Sequence, residues 1–338
     1  MHTQIRALGT LAAICLLASG AAAQSDTSRI VTAANGFLSS LDEKQRKSVL
    51  FAYDDEEQRA RWSNFPIRMV RRAGMNLGEM SAPQRAAAFA LLSATLSRGG
   101  FQKVQEIMDG DEAMKTNGNN SMFGKDLFYF SILGTPSEKS PWMLQFGGHH
   151  LALNITIAGD RGVLTPSLTA VQPALYTMGG KTVRPLGQEN DKAFALLAAL
   201  DDAQRKQAIL NYRVSDLVLG PGKDGKTIQP EGLKVSVMND AQRTMLLDLI
   251  SEWAGIIHDS AAKARMAEIK AGLADTWFAW SGPTTVTPGK NGTSYYRIQG
   301  PNLLIEYAPQ QMGGDPSMHI HTIYRDPTND YGRKFTAK

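Results

Sequence analysis

Four of the six histidines in this chain stand in two short segments. One is Gly147-Gly148-His149-His150-Leu151-Ala152-Leu153-Asn154; the other, near the C-terminus, is Met318-His319-Ile320-His321-Thr322-Ile323-Tyr324-Arg325-Asp326. Side chains two apart on a strand share a face. A strand through His319 and His321 therefore brings two imidazoles within reach of one ion. Neutral imidazoles joined by a carboxylate suit a divalent transition metal (Zn, Fe, Mn, Cu or Ni) without choosing among them. Held with an open position, such an ion can activate water or bind oxygen. A hydrogen-bonded polar strand edge is the plainer alternative for a lone His-x-His.

His149 and His150 are adjacent, so on a regular strand they face opposite ways. His150 then shares a face with Ala152 and Asn154, which makes it the better ligand. His149 reads as a half-buried, hydrogen-bonded neighbour, although a bulge at Gly147-Gly148 would re-aim both. The expected metal set is His150, His319 and His321, with His149 in reserve. Glu306, Arg325 and Asp326 are the candidate catalytic residues. The carboxylates suit proton or metal chemistry, and the guanidinium suits an anionic substrate group. Asp326 and Asp330 also suit the imidazole N–H groups behind the metal. A salt-bridged turn closing the C-terminus fits Arg325-Asp326 and Asp330-Tyr331-Gly332 equally well. Arg61-Trp62-Ser63-Asn64-Phe65-Pro66 can line a pocket or anchor packing, and His258 reads as a structural residue on a helix.

These residues need a frame, and the chain supplies one twice. Leu41-Asp42-Glu43-Lys44-Gln45-Arg46, Met80-Ser81-Ala82-Pro83-Gln84-Arg85, Leu200-Asp201-Asp202-Ala203-Gln204-Arg205 and Met238-Asn239-Asp240-Ala241-Gln242-Arg243 share one phrase. Each places Asp, Ser or Asn at a helix N-cap and Gln three residues later, the pattern of a capping box. The first pair of caps is 39 residues apart and the second 38, and the pairs are offset by 159 and 158. Gly74 to Met80 parallels Gly232 to Met238, and Phe146 to Asn154 parallels Ile298 to Glu306 at an offset of 152. Long internal periods govern architecture. The strands expected are Leu127–Leu133, Met143–Phe146 and Leu151–Ile157, then Tyr295–Ile298, Leu303–Tyr307 and His319–Tyr324, with surface loops at Asn117–Ser121 and Gly220–Lys226. Helices followed by runs of strand mean α+β with antiparallel sheet. The expectation is a duplicated unit of two helices and then antiparallel strands, the halves spanning about 24–185 and 186–338 of a single domain. A pseudo-twofold arrangement would bring strands together centrally, and Asn154 and Glu306 would join the histidines there.

Composition bounds the partners. With 43% hydrophobic and 20% charged residues, the chain has the makeup of a folded domain. Arg6, the apolar run Ala7–Ala18 and Ala21-Ala22-Ala23 form a secretory signal peptide over residues 1–23, too short to span a bilayer. Cys15, the only cysteine, lies inside it. The exported chain would then fold without disulfides, and any metal site must use nitrogen and oxygen ligands. Loss of Arg6 lowers the formal charge from +4 to +3. Without clustered cations interleaved with aromatics, nucleic acid is excluded as a partner, and no later segment has eighteen consecutive apolar residues to hold a membrane. P-loop, Gly-x-Ser-x-Gly, His-Glu-x-x-His and dinucleotide fingerprints are all missing.

The segments Gly148 to Asn154, Gly300-Pro301 to Ile305-Glu306, His319-Ile320-His321 to Arg325-Asp326, Asp330-Tyr331-Gly332 and Arg61 to Pro66 together resemble an uncharacterised secreted family. It is the domain-of-unknown-function family numbered thirty-five hundred, and the likeness spans almost the whole mature chain. The family pattern has Asn before His-x-His and Thr-Gln-Asn upstream, where this chain has Met318 and Pro309-Gln310-Gln311-Met312. The resemblance carries no activity. The functional expectation is thus an exported metal-dependent enzyme, hydrolase or oxidoreductase, acting on a small molecule in the periplasm or outside the cell. The alternative is a non-catalytic periplasmic protein that binds a metal or small ligand.

Overall fold

The computed structural model describes residues 24–312 and 314–335; the expected signal peptide lies outside them. Helices come first: α1 (Asp26–Ser39), α2 (Glu43–Val49), the short β1 (Leu50–Phe51), α3 (Glu56–Ala60), β2 (Met75–Asn76), α4 (Ala82–Thr95) and α5 (Arg98–Gly118). Strands β3 (Tyr129–Leu133), β4 (Trp142–Gly148), β5 (Leu151–Ala158), β6 (Arg161–Val163) and β7 (Ser167–Val171) follow, then a small hairpin of β8 (Tyr176–Met178) and β9 (Lys181–Val183). A second run has α6 (Gly187–Ala199), α7 (Asp202–Ala208), β10 (Leu233–Lys234), α8 (Asp240–Ala254) and α9 (Asp259–Ala271). It ends in β11 (Trp277–Ser281), β12 (Tyr295–Gly300), β13 (Leu303–Pro309) and β14 (Ile320–Arg325). The class is mixed α+β.

The four repeated phrases all become capping boxes. Asp42, Ser81, Asp201 and Asn239 each accept from the amide three residues on, and the Gln there answers the cap amide. Such a cap is worth about 1 kcal/mol. The same glutamines also join paired helices: Gln84 Nε2 donates to Gln45 Oε1 at 2.8 Å, and Gln242 Nε2 to Gln204 Oε1 at 2.8 Å. One side chain thus ends a helix and sets its partner.

One large sheet has the order β1-β3-β4-β5-β7-β14-β13-β12-β11-β10, with β2 and β6 beside β3 and β5. All its pairings are antiparallel except β1 with β3. At the middle β7 meets β14, with Thr169 opposite Thr322 and their hydroxyls 2.7 Å apart. The strands bearing Asn154 and Glu306, expected near the centre, are one position outward on either side.

Alternation sorts the two faces of the sheet. Phe130, Phe146, Leu153 and Ile155 on one side, and Ile298, Ile305, Tyr307 and Trp280 on the other, are buried with the apolar faces of the helices. Burying each such side chain contributes about 1.5–3 kcal/mol. The opposite face carries Gln145, Asn154, His321, Arg325, Glu306 and Arg297, all buried. Two long connections, residues 52–74 and 209–232, cover this polar face and satisfy it. Gln58 Nε2 donates to Gln145 Oε1 at 2.9 Å, and the Val218 and Leu219 amides donate to Glu306.

Some expected boundaries shift. Leu127 closes a 3-10 turn rather than opening a strand. The 220–226 segment is a surface loop, as expected, but its Asp224 reaches in to bind Arg325 and Tyr331. His258 is the N-cap of α9 rather than a residue within the helix. Helices α1, α5 and α6 and strands β7 and β11 carry no signal that the sequence reading used. In α5 the reason is physical: it opens on Gly99-Gly100, poor helix formers. A Cβ at Gly100 would stand 2.2 Å from the Ile256 carbonyl, so close packing requires the glycine. Among the described residues no helix is long and apolar enough to cross a membrane.

Candidate metal centre

His149 and His150 are not strand residues. β4 and β5 pair through Gly148 opposite Leu151, which leaves the two histidines as the centre of a two-residue hairpin turn. His150 takes φ 62, the left-handed region. For a residue with a Cβ this costs roughly 1–2 kcal/mol. Two backbone bonds hold it there: His150 N to Asn64 O at 3.3 Å, and Ala170 N to His150 O at 2.8 Å. The corresponding turn between β12 and β13 is Pro301-Asn302, a conventional turn pair. The strand-face argument that ranked the two histidines therefore does not apply. The turn puts both on one side, with rings stacked 3.6 Å apart between centroids.

His319 and His321 lie at the start of β14 on one face, as alternation requires. His319 Nε2 is 3.0 Å from His321 Nε2 and 3.1 Å from His150 Nε2. All three rings are buried. His319 Nδ1 is 2.7 Å from the Met312 carbonyl oxygen, which can only accept. The proton of this imidazole is thus on Nδ1, and Nε2 presents its lone pair to the other two rings. Burial pushes the His319 imidazole down to about 4. Burial, then the neighbouring rings of His149, His321 and His319, hold that of His150 well below its ordinary value.

One lone pair cannot receive two in-line N–H donors. Hydrogen bonding alone leaves one of the two short nitrogen contacts unsatisfied, whereas a cation at the common point satisfies all three. The imidazole nitrogens of His150, His319 and His321 lie within 4.8 Å of one another and can hold a metal ion. Separations of 3.0–3.1 Å match nitrogens about 2.1 Å from an ion at angles near 90°, since a tetrahedral angle would need roughly 3.4 Å. His150, His319 and His321 would hold such an ion from one corner, and the group of His, Cys, Asp and Glu side chains around it includes no fourth member among the described residues.

The support of this corner includes residues that the sequence reading missed. His149 Nδ1 is 2.6 Å from Asp111 Oδ1, and Asp111 Oδ2 accepts from the Gly124 amide at 2.7 Å. This pins the ring beneath His150. Asp111 was findable, because an acid falls on the buried stripe of α5 after Val104, Ile107 and Met108. His321 Nδ1 is buried without a hydrogen-bond partner, and Asp216 Oδ1 stands 3.6 Å away. Gln310 Nε2 holds that carboxylate at 2.8 Å. Asp216 lies in the 209–232 connection, where nothing in the sequence marks it.

The other candidates gather elsewhere. Glu306 accepts from Val218 N, Leu219 N and Tyr295 Oη. Burial pushes its carboxyl up against the pull of those donors. Asn154 donates to Pro166 O and accepts from Gln145. Arg325 is bound by Leu219 O, Gly220 O, Asp224 and Asp330. Tyr331 Oη joins Asp224 to the Trp62 indole. Asp326 accepts from Thr328 and pairs with Arg265 at 3.1 Å. Of the seven candidates His149, His150, His319, His321, Glu306, Arg325 and Asp326, only the histidines gather at one place.

The chain belongs to the family described as Protein of unknown function (DUF3500), which it matches over residues 23–333. Neither a curated protein nor a solved structure matches it. That description names no activity, so function rests on the geometry.

Proposed function

We propose that this protein is an exported metal-dependent enzyme whose ion is held by His150, His319 and His321 and acts on a small molecule. The observation that carries the reading is the convergence of the His150 and His321 Nε2 atoms on the Nε2 of a His319 ring whose proton is fixed on Nδ1. An ion there would act as a Lewis acid and lower the pKa of bound water. Right-angled ligand spacing supports open positions, and open positions distinguish catalytic from structural sites. The chain's own contribution is to keep the His150 and His319 imidazoles neutral by burial, to fix the His319 tautomer through the Met312 carbonyl and to set the Asp216 carboxylate opposite His321. Redox-inert zinc would mean hydrolysis, while iron or copper would open oxidation. The N-terminal charge, apolar run and small-residue pattern support export.

The duplicated architecture belongs to the same reading. The mirrored strand order, Thr169 facing Thr322 at the centre, and capping glutamines that meet in both halves support two related units about a pseudo-twofold axis. The metal corner would then be a feature of one unit's hairpin and the other's strand.

A non-catalytic metal-binding role is the second reading. Its support is that all three rings are nearly closed from solvent, at 3–7% exposure. Cobalt(II) reconstitution of chelator-treated protein tests the choice. One equivalent should give a weak five- or six-coordinate visible spectrum that azide changes. An intense tetrahedral spectrum indifferent to azide would favour storage or structure.

A further inference from the structure

A cavity of about 370 Å³, lined by none of the three clustered histidines, opens between β6, α9 and the C-terminal segment. That is within the usual size of small-molecule sites, about 300–1,000 Å³. Its floor is apolar and buried: Leu164, Ala254, Ile257 and Ala261. Tyr324 and Asp326 add polar atoms to the buried wall. The single segment Met318 to Asp326 thus serves two places, with His319 and His321 at the metal corner and Asp326 in this wall.

The charges of the wall sort into two groups. Arg265 is committed: Nε donates to Tyr324 Oη at 3.0 Å, and Nη1 pairs with Asp326 at 3.1 Å and Glu268 at 3.0 Å. Those two acids are therefore already answered by a cation. Arg161 and Lys334, both exposed, stand at the mouth. The Arg161 guanidinium lies 4.5 Å over the Phe335 ring, and Lys334 Nζ donates to the Thr328 hydroxyl at 2.7 Å. Neither has a carboxylate partner among the described residues. Exposed Asp160, on the β5–β6 turn, is the remaining acid of the lining. Two cations free of carboxylates over an apolar floor suit a ligand with a charged anionic head and a hydrocarbon body. The guanidinium is a planar fork matched to carboxylate, and Phe335 holds it flat.

We infer that this cavity is a binding site for a small organic anion, a carboxylate with a short apolar body, separate from the metal corner. Arg161 and Lys334 take the carboxylate, and the Leu164, Ile257 and Ala261 floor takes the chain.

Hexanoate is a suitable probe, with hexanol and hexylamine as controls of matched shape. Calorimetry on the mature chain in the His319→Ala background keeps carboxylate binding to a histidine-held ion out of the signal. Hexanoate should bind with one-to-one stoichiometry, and both controls at least tenfold more weakly. The double variant Arg161→Ala/Lys334→Ala should weaken hexanoate at least tenfold. Ala264→Trp, a change at an exposed position of the lining, should abolish binding by filling the cavity. Both variants alter exposed residues, and an unchanged melting temperature shows that each is folded. No detectable hexanoate binding, equal binding of the controls, or unchanged affinity in both variants would overturn the assignment.

Discussion

The two ends of β14 hold two buried polar clusters that look alike in sequence and differ in chemistry. At the start, His150, His319 and His321 aim nitrogen at nitrogen, and His321 Nδ1 has no hydrogen-bond partner. At the finish, Arg325 meets Asp224, Asp330 and the carbonyls of Leu219 and Gly220. The first cluster is one that the proposed cation would complete, whereas the second supplies its own. Buried polar groups that leave atoms unsatisfied point to a ligand, and those that close on themselves point to architecture. Arg325, expected among the catalytic residues, thus ties parts of the frame together. It joins β14, the 209–232 connection and the C-terminal turn, while Tyr331 brings in Trp62 from the 52–74 connection.

The largest expected effect falls on the self-sufficient end. Arg325→Ala strands the buried Asp330 and takes the cation from the half-buried Asp224. It should cost about 3–5 kcal/mol in urea unfolding, the loss seen when one partner of a buried pair is removed. His319→Ala should cost the metal-free protein far less. Equal losses would erase the distinction between the two ends.

Next in size is Asp216→Asn, which weakens the acceptor facing His321 Nδ1. Metal affinity should drop tenfold to a hundredfold, about 1.4–2.7 kcal/mol, with thermal stability of the metal-free protein unchanged. An unchanged affinity by calorimetric titration would remove Asp216 from the support of the centre.

His150 gives a smaller and opposite signal, because its turn geometry suits glycine better. Metal-free His150→Gly should be more stable than His150→Ala by roughly 1–2 kcal/mol, while neither binds metal. Similar stabilities would mean that the left-handed backbone at this turn carries no strain.

The two ends should also part with pH. The His319 imidazole is held down to about 4 by burial, so the unfolded chain binds more protons between there and its ordinary 6.5. Stability of the metal-free protein should fall as pH drops through that window. Asp330 is opposite: burial, outweighing Arg325, pushes its carboxyl from 3.8 up to about 6. The folded state there holds the extra proton, so this contribution falls as pH rises from about 4 to 6. Melting curves of His319→Ala and Asp330→Asn across pH 4–7 should each lose one slope. Parallel curves for both variants and wild type would show that neither group titrates as its burial implies.

Much of the frame was legible because local chemistry dictated it. Asp42, Ser81, Asp201 and Asn239 announce helices through cap geometry that few other residues supply, and Leu151 to Ile157 alternates as a half-polar strand must. β7 was not, since Ser167 to Val171 alternates over only four residues, with Ala170 as one of its apolar positions, too short and weak a run to mark a strand. The site divides the same way. His319 and His321 follow from the period of a strand, which is local. His150 joins them only through a turn that no periodicity encodes, and Asp216 through a long connection folded over the sheet. Asp111 lies between these cases, legible as an acid on an apolar stripe although its partner His149 is not.

The central claim is one ion per chain on three histidines. Metal content should be measured after chelator treatment, reconstitution with zinc, cobalt or copper in turn, and removal of excess. The account predicts one equivalent of at least one ion in wild type and in His149→Ala, and less than a tenth of an equivalent in His150→Ala, His319→Ala and His321→Ala. Wild type that retains none of these ions, or triad variants that retain the full equivalent, would contradict it.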